Sequence, residues 1–383
     1  MPRKKVYYIS YYDSELNADQ KRGYTLACTN KMDYNIEALE NAGNEVEVIS
    51  ASLSNSLSYQ CGKTYPLSRH SSVKLFPSFG RTKIGRAIDL WIVRRYMRHW
   101  LNRRLKSGDQ VILYHSLGYA KDMLGLFKKS KARLILELEE IYSDVYEDKS
   151  GRPVEDALID VADAYIFPTQ MLDDQYNRGK KPYVLIHGTY KVEPQVVEKF
   201  DDGKIHVVYA GTFDPRKGGA AAAAAAAAQL PENYHVHICG FGSDKEVENL
   251  KKVITESSAK GRATVTYDGL KKGREYIEFL QKCHIGMSTQ IPDGEYNGTS
   301  FPSKVLSYMA NGLDVVSIDI PAIRNSAVGP YLHFYTEQTP QAIAQAIMDV
   351  KIGEYNPREV ISRLSDKFTA DIKEMLENNH VTD

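Results

Sequence analysis

Short apolar runs alternate with helix-like patterns along the whole chain. In the first half, apolar runs that end in polar residues predict strands over residues 6–10, 46–49, 111–114, 134–138, 165–167 and 183–186. Met32, Ile36 and Leu39 fall on one face of a helix expected over about residues 30–42, which Gly43 ends. Strands that alternate with helices predict a parallel sheet covered by helices, in which ligands bind at the carboxyl ends of the strands.

The same alternation begins again near residue 204. Apolar runs predict strands over residues 206–209, 235–239, 264–267 and 285–289, and helices are expected over the nine alanines 220–228 and over residues 276–283. A last helix with a polar tail is expected over residues 356–383. Because 383 residues are too many for one hydrophobic core, we predict two similar α/β halves joined near residue 190.

Residues 293–316, DGEYNGTSFPSKVLSYMANGLDVV, form the most informative segment. The polar loop over residues 297–300 offers backbone N–H groups and hydroxyls, and Pro302 suits a first helical turn. Lys304 then places a positive charge in that turn, and Gly312 ends the helix before a buried strand. Donors and a cation at the start of a helix predict a phosphate site. The alternative is an ordinary αβ unit whose loop binds nothing.

Two further strand ends in the second half point to the same place. Gly211 and Thr212, followed by Arg216 and Lys217, precede the alanine helix, and GFG at residues 240–242 lets the backbone approach a ligand closely. With Lys304, these basic residues could surround a diphosphate. Alternatively, the glycines only cap helices and the two basic residues are solvated.

Several other classes of site are disfavoured. The chain has no GxxxxGK[ST], no GxSxG and no GxGxxG after its first strand, which disfavours P-loop enzymes, serine hydrolases and ordinary nicotinamide-binding domains. Without CxxC, HExxH or a DxD pair at a strand end, no fixed metal is indicated. Four widely spaced cysteines suit a reducing cytoplasm, and no apolar stretch is long enough to span a membrane.

Polar residues in the first half offer weaker candidates. His115 follows a predicted strand, and Glu137, Glu139 and Glu140 cluster at the end of the next. Glu137 and Glu139 share a face, so one carboxylate could orient a sugar hydroxyl or act as a base. A structural histidine and a solvated strand end are the alternatives.

Residues 81–106 combine nine Lys and Arg residues with one acidic residue and with both tryptophans of the chain. Ile84, Ile88, Trp91 and Ile92 fall at helical spacing, which predicts a basic amphipathic helix on a membrane surface or an anionic partner. Packing of that apolar face on the sheet is the alternative. No nucleic-acid module accompanies the charge, so nucleic acid is not expected. The candidate surface residues are Trp91, Arg94, Arg95, Arg98 and Trp100.

The second half resembles the donor domain of GT-B glycosyltransferases, particularly glycosyltransferase family 4. The resemblance rests on VVYAGTFDPRKGG, HICGFG, VTYDG and NGTSFPSKVLSYMANGLDVVS, in that order, over about residues 204–320. It implies a GT-B fold of two Rossmann-like domains facing a central cleft, with an acceptor-side domain over 1–190 and a donor domain over 191–355. The helix over 356–383 would pack back on the first domain.

The resemblance also implies the reaction. A hexosyltransferase of this kind moves a sugar from a nucleoside diphosphate sugar, most often a UDP-sugar, to a hydroxyl of a lipid-linked or glycan acceptor. Transfer would be retaining and independent of metal or cofactor, as in bacterial polysaccharide biosynthesis, in the cytoplasm at the inner face of the membrane. The implied catalytic residues are Lys304, Lys217, Glu139 and His115. The implied donor-binding residues are Gly211, Thr212, Arg216, Gly240, Phe241, Gly242, Asp268, Gly269, Asn297, Gly298, Thr299, Ser300 and Ser307.

The chain departs from the family pattern at four positions. Thr299 and Ser307 stand where many members carry two glutamates, one facing the sugar and one holding the ribose. Thr212 replaces a frequent basic residue, and Glu139 replaces a frequent histidine of the acceptor domain. Thr299 and Ser307 keep open a non-catalytic, glycosyltransferase-like binding subunit. A sugar-nucleotide epimerase on the same two-domain plan is a less favoured alternative.

Overall fold

The computed structural model describes residues 3–145, 149–214, 218–291 and 301–378, without the side chains of residues 26, 27, 144 and 145. It divides into two compact units. The first comprises Met1–Thr189 and Asp366–Asp383, and the second comprises Tyr190–Ser365. Within the described ranges, no helix combines the length and the apolarity needed to cross a membrane.

A central sheet of eight strands organises the first unit. Its strands are β1 (Lys4–Ser10), β2 (Asn44–Ser50), β3 (Thr64–Pro66), β4 (Ser71–Leu75), β5 (Gln110–Tyr114), β6 (Arg133–Glu137), β7 (Ala164–Phe167) and β8 (Tyr183–Leu185). They lie in the order β3-β4-β2-β1-β5-β6-β7-β8. Among these described strands, β3 and β4 pair antiparallel and the other neighbours pair parallel. Since β1 lies between β2 and β5, the strand order reverses at its edge with β5, which is where doubly wound sheets bind ligands.

Consecutive residues of the inner strands are buried, so both sides of each strand are covered, as in a sheet with helices on both faces. The helices are α1 (Leu26–Asn41), α2 (Lys83–Ile88), α3 (Arg94–Arg104), α4 (Leu117–Phe127), α5 (Tyr142–Val145), α6 (Arg152–Val161) and α7 (Gln170–Tyr176), with a 3-10 turn at Glu15–Gln20 and a π-helical segment at Asp89–Val93. The core includes Ile9, Leu113 and Leu136 from three neighbouring strands.

Six parallel strands, numbered β9 to β14 along the chain, form the described sheet of the second unit. Their order in the sheet is β11-β10-β9-β12-β13-β14. They are β9 (Ile205–Thr212), β10 (Tyr234–Phe241), β11 (Thr264–Gly269), β12 (Ile285–Ser288), β13 (Asp314–Ile318) and β14 (His333–Tyr335). The helices are α8 (Gly219–Ala226), α9 (Asp244–Lys260), α10 (Gly273–Lys282), α11 (Lys304–Ala310), α12 (Pro321–Arg324), α13 (Pro340–Met348) and α14 (Pro357–Glu377), with 3-10 turns at Ala227–Gln229 and Gly329–Tyr331.

Two α/β units, one with a mixed sheet and one with a parallel sheet, confirm the predicted fold class. The final part of α14 lies within the first unit, where Phe368 stacks on Tyr34 and the Arg133 guanidinium donates to the Met375 carbonyl at 2.6 Å. The hairpin of β3 and β4 was not predicted, because its two strands are short and only Val73 and Leu75 are fully buried apolar positions in them.

Candidate functional site

A pocket of about 210 Å³ lies at the carboxyl ends of β9 and β10 in the second unit. It is lined by Ala210, Gly211, Thr212, Cys239, Gly240, Phe241, Leu270, Lys271 and Tyr276. The predicted donor-site residues Gly211, Thr212, Gly240 and Phe241 therefore share one pocket. Phe241 is 54% exposed, and Tyr276 presents a second aromatic ring, so the pocket offers flat apolar surfaces of the kind that nucleotide bases stack on.

Backbone proximity explains the glycines of this pocket. Gly240 has φ +142°, and a Cβ built on it would lie 1.8 Å from the Gly211 carbonyl oxygen. The two residues are opposite each other in the β9–β10 ladder. No side chain fits between strand ends that approach so closely. Gly242 lies just beyond, where a Cβ would come within 3.0 Å of Phe213, and Ser243 and Glu246 then form the capping box of α9.

Lys304 begins α11 beside the end of β9. Its ammonium nitrogen lies 4.0 Å from the centre of the Tyr209 ring, a cation–π contact, and 3.1 Å from the position that a Cβ of Gly211 would occupy. The Tyr209 hydroxyl donates to the Thr212 carbonyl at 3.1 Å. The tyrosine thus holds the lysine charge next to the backbone that borders the pocket.

Tyrosines also join α11 to the pocket. The Tyr308 hydroxyl accepts a hydrogen bond from the Ala210 N–H at 2.7 Å, and its ring packs where Gly286 leaves room. Ser307, which stands where related enzymes carry a glutamate, makes a side-chain hydrogen bond with Tyr276. Ser307 therefore contacts a residue of the pocket wall rather than lining the pocket itself.

Asp268 and Gly269, also predicted to bind the donor, occupy the end of β11. Gly269 has φ +74° at an irregularity in the β10–β11 pairing. The Asp268 carboxylate accepts from Thr266 at 2.9 Å and lies 3.1 Å from His237 Nδ1. Burial raises the pKa of Asp268, but these bonds outweigh burial and hold the pKa below its ordinary value. Asp268 therefore does not line the pocket but contacts a histidine cluster formed by His206, His235 and His237.

Six predicted site residues lie outside the described residues. They are Arg216, Lys217, Asn297, Gly298, Thr299 and Ser300. Their predicted roles in binding the donor and its diphosphate stay predictions.

The first unit contains a pocket of about 440 Å³ at the β1–β5 edge, where the strand order reverses. Its lining includes four tyrosines, Tyr11, Tyr24, Tyr114 and Tyr142. Ser10, Cys28, His115 and Ser116 also line it. The Ser116 hydroxyl caps α4 by accepting from the Gly118 N–H at 3.3 Å. Hydroxyls and aromatic rings give this pocket the means to bind a neutral polyol.

His115 lies against this pocket but is almost completely buried. Its ring stacks on Tyr142 at 5.1 Å, and its Nε2 lies 3.2 Å from the Glu155 carboxylate. Burial lowers the pKa of His115 to about 4, so the imidazole is neutral at physiological pH. A neutral, buried imidazole can accept a proton only with difficulty, although it can orient a hydroxyl.

Glu139 and Glu137 lie in a different set of contacts. Lys31 forms a short ion pair with Glu139. Glu137 is fully buried, where it accepts hydrogen bonds from the Tyr8 hydroxyl and from the Asn35 amide at 2.9 Å. Burial raises the pKa of Glu137 to about 7, although Lys31 opposes the shift. For Glu137, the alternative of a solvated strand end is therefore wrong. His115 and Glu139 contact different partners, and only His115 lines the pocket.

The basic segment forms α2, the π-helical segment and α3 in succession. Val93, Met97 and Leu101 face the core, and the Asp89 carboxylate is buried against the Ser78 hydroxyl at 2.7 Å. The expected apolar face does not pack on the sheet, because Trp91 is 62% exposed and Ile84 is 76% exposed. The side chains that pack on the core are instead those of Val93, Met97 and Leu101, which are spaced four residues apart and share another face of the helix.

The candidate surface residues divide into two groups. Trp91 is exposed and lies under the Arg95 guanidinium at 4.5 Å. Trp100 packs edge-on against Phe76 at 5.9 Å and is part of the core margin. Arg98 lies 3.7 Å from Asp122, and Arg94 makes a side-chain hydrogen bond with Tyr11 of the 440 Å³ pocket. Trp91 and Arg95 are thus the exposed pair of this surface.

Tyrosines were the main site residues that sequence reasoning missed. The chain has 26, and tyrosines line both pockets or hold residues beside them. Tyr209 lies two residues before Gly211, on the same side of β9, so strand alternation could have indicated it. Tyr276 and Tyr142 are on helices remote in sequence, and no local pattern identifies them.

The chain is similar to known proteins in sequence and in fold. Residues 204–350 match the family model described as glycosyl transferases group 1. The matched residues all lie within the second unit. A search of curated protein sequences finds no significant match.

Solved structures extend the likeness to the whole chain. A sucrose-phosphate synthase from Thermosynechococcus elongatus has a TM-score of 0.65 at 15% identity, covering 97% of this chain and 98% of that one. A UDP-forming α,α-trehalose-phosphate synthase from Burkholderia xenovorans has a TM-score of 0.60 at 10% identity, covering 98% and 99%. An E. coli structure described as trehalose-6-phosphate bound with UDP-2-fluoro glucose has a TM-score of 0.60 at 13% identity, covering 98% and 97%. At these identities the likeness shows a shared fold, the GT-B arrangement.

The family match and the shared fold together confirm that this chain is a glycosyltransferase of the GT-B type. The narrower family 4 assignment, the lipid-linked acceptor and the membrane surface stay predictions.

Proposed function

We propose that the enzyme transfers a sugar from a nucleoside diphosphate sugar, a UDP-sugar first among them, to a hydroxyl of a glycan or lipid-linked acceptor. One observation carries the proposal: the Lys304 ammonium lies beside the glycine-built end of β9 that lines the 210 Å³ pocket. That volume is smaller than pockets for whole drug-sized ligands, so it suits one part of a nucleotide sugar, such as its base.

Leaving-group stabilisation is the role we propose for Lys304. When the bond between the sugar C1 and the diphosphate oxygen breaks, negative charge grows on the diphosphate and positive charge on the sugar ring. A positive charge held in place before the reaction stabilises this leaving group without reorganising. Tyr209 holds the ammonium in place, so Lys304 can supply that charge without a metal ion.

Acceptor binding is the role we propose for the 440 Å³ pocket of the first unit. Sugar rings expose C–H faces and hydroxyl edges, which suit aromatic rings and hydroxyl donors respectively. Tyr11, Tyr114 and Tyr142 provide both. His115 would orient a hydroxyl of the acceptor through its neutral imidazole rather than act as a strong base. Retention of configuration is part of the proposal because the resemblance to family 4 implies it.

The exposed face of the basic segment supports a lipid-linked acceptor. Leu90, Trp91 and Ile92 are exposed in succession, with Arg95 beside Trp91. An exposed tryptophan flanked by arginine suits the boundary between lipid headgroups and acyl chains. We propose that this face docks on an anionic membrane, where a lipid-linked acceptor would be found.

Nucleotide binding measured by thermal shift tests the proposal. Purified protein is screened against UDP, GDP, ADP, CMP and dTDP, with and without Mg²⁺. Selective stabilisation by one diphosphate, about 2.7 kcal/mol at 100 times its Kd, is expected without metal. Lys304→Ala should weaken the effect, whereas Lys351→Ala, at an exposed lysine of the same unit, should not. A protein that no nucleotide stabilises would instead support a non-catalytic binding subunit.

A further inference from the structure

Four of the ten histidines of the chain converge at the start of the second sheet. His206 on β9 pairs with His235 on β10, and His237 lies two residues further along β10. Side chains two residues apart on a strand point to the same face, so the three imidazoles share one face of the sheet. His284, just before β12, stacks on His206 at 5.9 Å and accepts the His206 backbone N–H.

A chain of hydrogen bonds links two of these imidazoles to two carboxylates. Asp202 lies 2.9 Å from His206 Nε2, and Asp268 lies 3.1 Å from His237 Nδ1. Between the two rings, His206 Nδ1 lies 2.9 Å from His237 Nε2. Each carboxylate accepts the N–H of its own histidine. The two inner nitrogens then face each other and must share one proton, or something that replaces it.

We propose that His206, His235 and His237 bind one divalent transition-metal ion of the Zn²⁺ class, which replaces that shared proton. One nitrogen from each of the three residues lies within 4.8 Å of the other two. Two nitrogens on a tetrahedral zinc ion at about 2.0–2.1 Å are roughly 3.3 Å apart. The 2.9 Å separation between His206 and His237 therefore needs to widen by only a few tenths of an ångström.

The outer contacts favour a metal over a plain polar network. A histidine that binds metal through one nitrogen commonly donates its other N–H to a carboxylate, which fixes the ring and increases its basicity. Asp202 and Asp268 occupy those outer positions on His206 and His237. Three imidazoles match the ligand preference of zinc, copper or nickel and not that of magnesium.

The surroundings keep these ligands ready for a cation. Phe200 stacks on His206 at 4.1 Å, and Phe279 meets His237 edge-on at 5.2 Å, so both histidines are buried. An imidazole binds a metal ion in its neutral form, through the lone pair of one nitrogen.

This site is separate from the proposed donor pocket. His206 is at the amino end of β9 and Gly211 near its carboxyl end, five residues or about 16 Å away. The ion would therefore act as a cross-link between β9 and β10, not in sugar transfer. It also reaches the donor pocket indirectly, because Asp268 on His237 immediately precedes Gly269, Leu270 and Lys271, and the last two line that pocket.

Metal binding to the purified 383-residue chain tests the proposal. The protein is prepared without an affinity tag, with the exposed Cys61 replaced by serine, and stripped with EDTA. Zn²⁺ is then titrated against a chromogenic competitor. We expect one Zn²⁺ per chain, no comparable binding of Mg²⁺, and a rise in Tm with Zn²⁺. Asp268→Asn should weaken binding by about 10–100-fold, as loss of an outer contact does elsewhere.

The His235→Gln variant tests whether His235 is a metal ligand. His235 is half-buried and outside the Asp–His–His–Asp chain, so its replacement leaves those buried bonds in place. We expect at least tenfold weaker Zn²⁺ binding, with cooperative unfolding in EDTA at a Tm near that of the parent protein. His333→Gln, at the start of β14 in the same sheet, is the matched control and should bind normally. No saturable site, or equal Zn²⁺ affinity in both variants, would overturn the proposal.

Discussion

The two pockets at the carboxyl edges of the two sheets are built differently. In the second unit, glycines bring strand ends together, Lys271 lines the pocket and Lys304 places a positive charge beside it. In the first unit, tyrosines and a neutral histidine line the pocket, and the charged Lys31 and Glu139 pair with each other elsewhere. The first arrangement suits a nucleoside diphosphate, with its base in the pocket and its charge beside Lys304, and the second suits a neutral polyol.

This difference has a physical basis in the chemistry that we propose. A diphosphate needs positive charge and backbone donors, which glycine-rich strand ends can present closely. An acceptor hydroxyl needs shape and hydrogen bonds without charges that would compete for it. The following variants test this division between the units.

The largest effect is expected for Lys304→Ala. Loss of one preorganised charge or donor at a developing anion lowers kcat by about 10²–10³ in comparable cases. We expect a decrease of at least 10² in sugar transfer, measured with the diphosphate sugar whose nucleotide stabilises the protein. Lys351→Ala should transfer sugar at the parental rate. A Lys304→Ala enzyme within threefold of the parent would remove this lysine from the mechanism.

Gly240→Ala should come next. A Cβ at this position would lie 1.8 Å from the Gly211 carbonyl oxygen, so β9 and β10 would have to separate. We expect a loss of about 2–4 kcal/mol in stability, together with loss of nucleotide binding. Gly203→Ala is the matched control, because Gly203 also has positive φ but nothing lies within 4 Å of its Cβ position. Similar losses for both variants would show that backbone strain, and not close approach, requires Gly240.

Glu137 predicts a pH effect confined to the first unit. Its pKa is about 7 in the folded protein, against an ordinary value of 4.5, so the folded state binds the proton more tightly. Its contribution to stability is therefore greatest below about pH 4.5 and is lost as the pH rises towards 7. Glu137→Gln should remove that slope and stabilise the unit at pH 8 by about 1–3 kcal/mol relative to the parent.

Urea unfolding followed by tryptophan fluorescence measures this effect, because Trp91 and Trp100 both lie in the first unit. Glu45→Gln, at an exposed carboxylate, should keep the parental pH slope. An unchanged slope in Glu137→Gln would mean that Glu137 stays ionised in the folded protein across this pH range.

The lining of the 210 Å³ pocket could be predicted from sequence further than that of the 440 Å³ pocket. Gly211, Gly240 and Phe241 lie at ends of apolar strands, and strand ends of a parallel sheet meet at one edge, so local pattern was enough. Asp268 was assigned to the same site for that reason, but the register of β10 and β11 turns it towards His237.

The remaining contacts of the two units could not be predicted, because they join residues that are far apart in the sequence. Glu155 approaches His115 from α6, and Lys31 approaches Glu139 from α1, contacts between residues 40 and 108 positions apart. The histidine cluster combines His235 and His237 of β10 with His206 of β9, which lies 29 positions before His235, so no local motif contains all three. Hydrophobic periodicity reports the exposure of single elements and cannot report which elements become neighbours.

The smallest effect is expected at the exposed face of the basic segment, where the first unit is proposed to contact lipid. Trp91→Ala/Arg95→Ala removes an aromatic side chain that is 62% exposed and the arginine over it. Each basic residue near an anionic surface contributes about 1 kcal/mol, so vesicles containing anionic lipid should bind the variant at least fivefold more weakly at low salt. Leu57→Ala/Lys128→Ala, which removes an exposed apolar residue and one positive charge elsewhere on the unit, controls for general charge and hydrophobicity. Because neither Trp91 nor Arg95 lines the 440 Å³ pocket, transfer to a soluble acceptor should be unchanged. Equal vesicle binding by the variant and the control would leave the apolar face without a lipid role and would favour a soluble glycan acceptor.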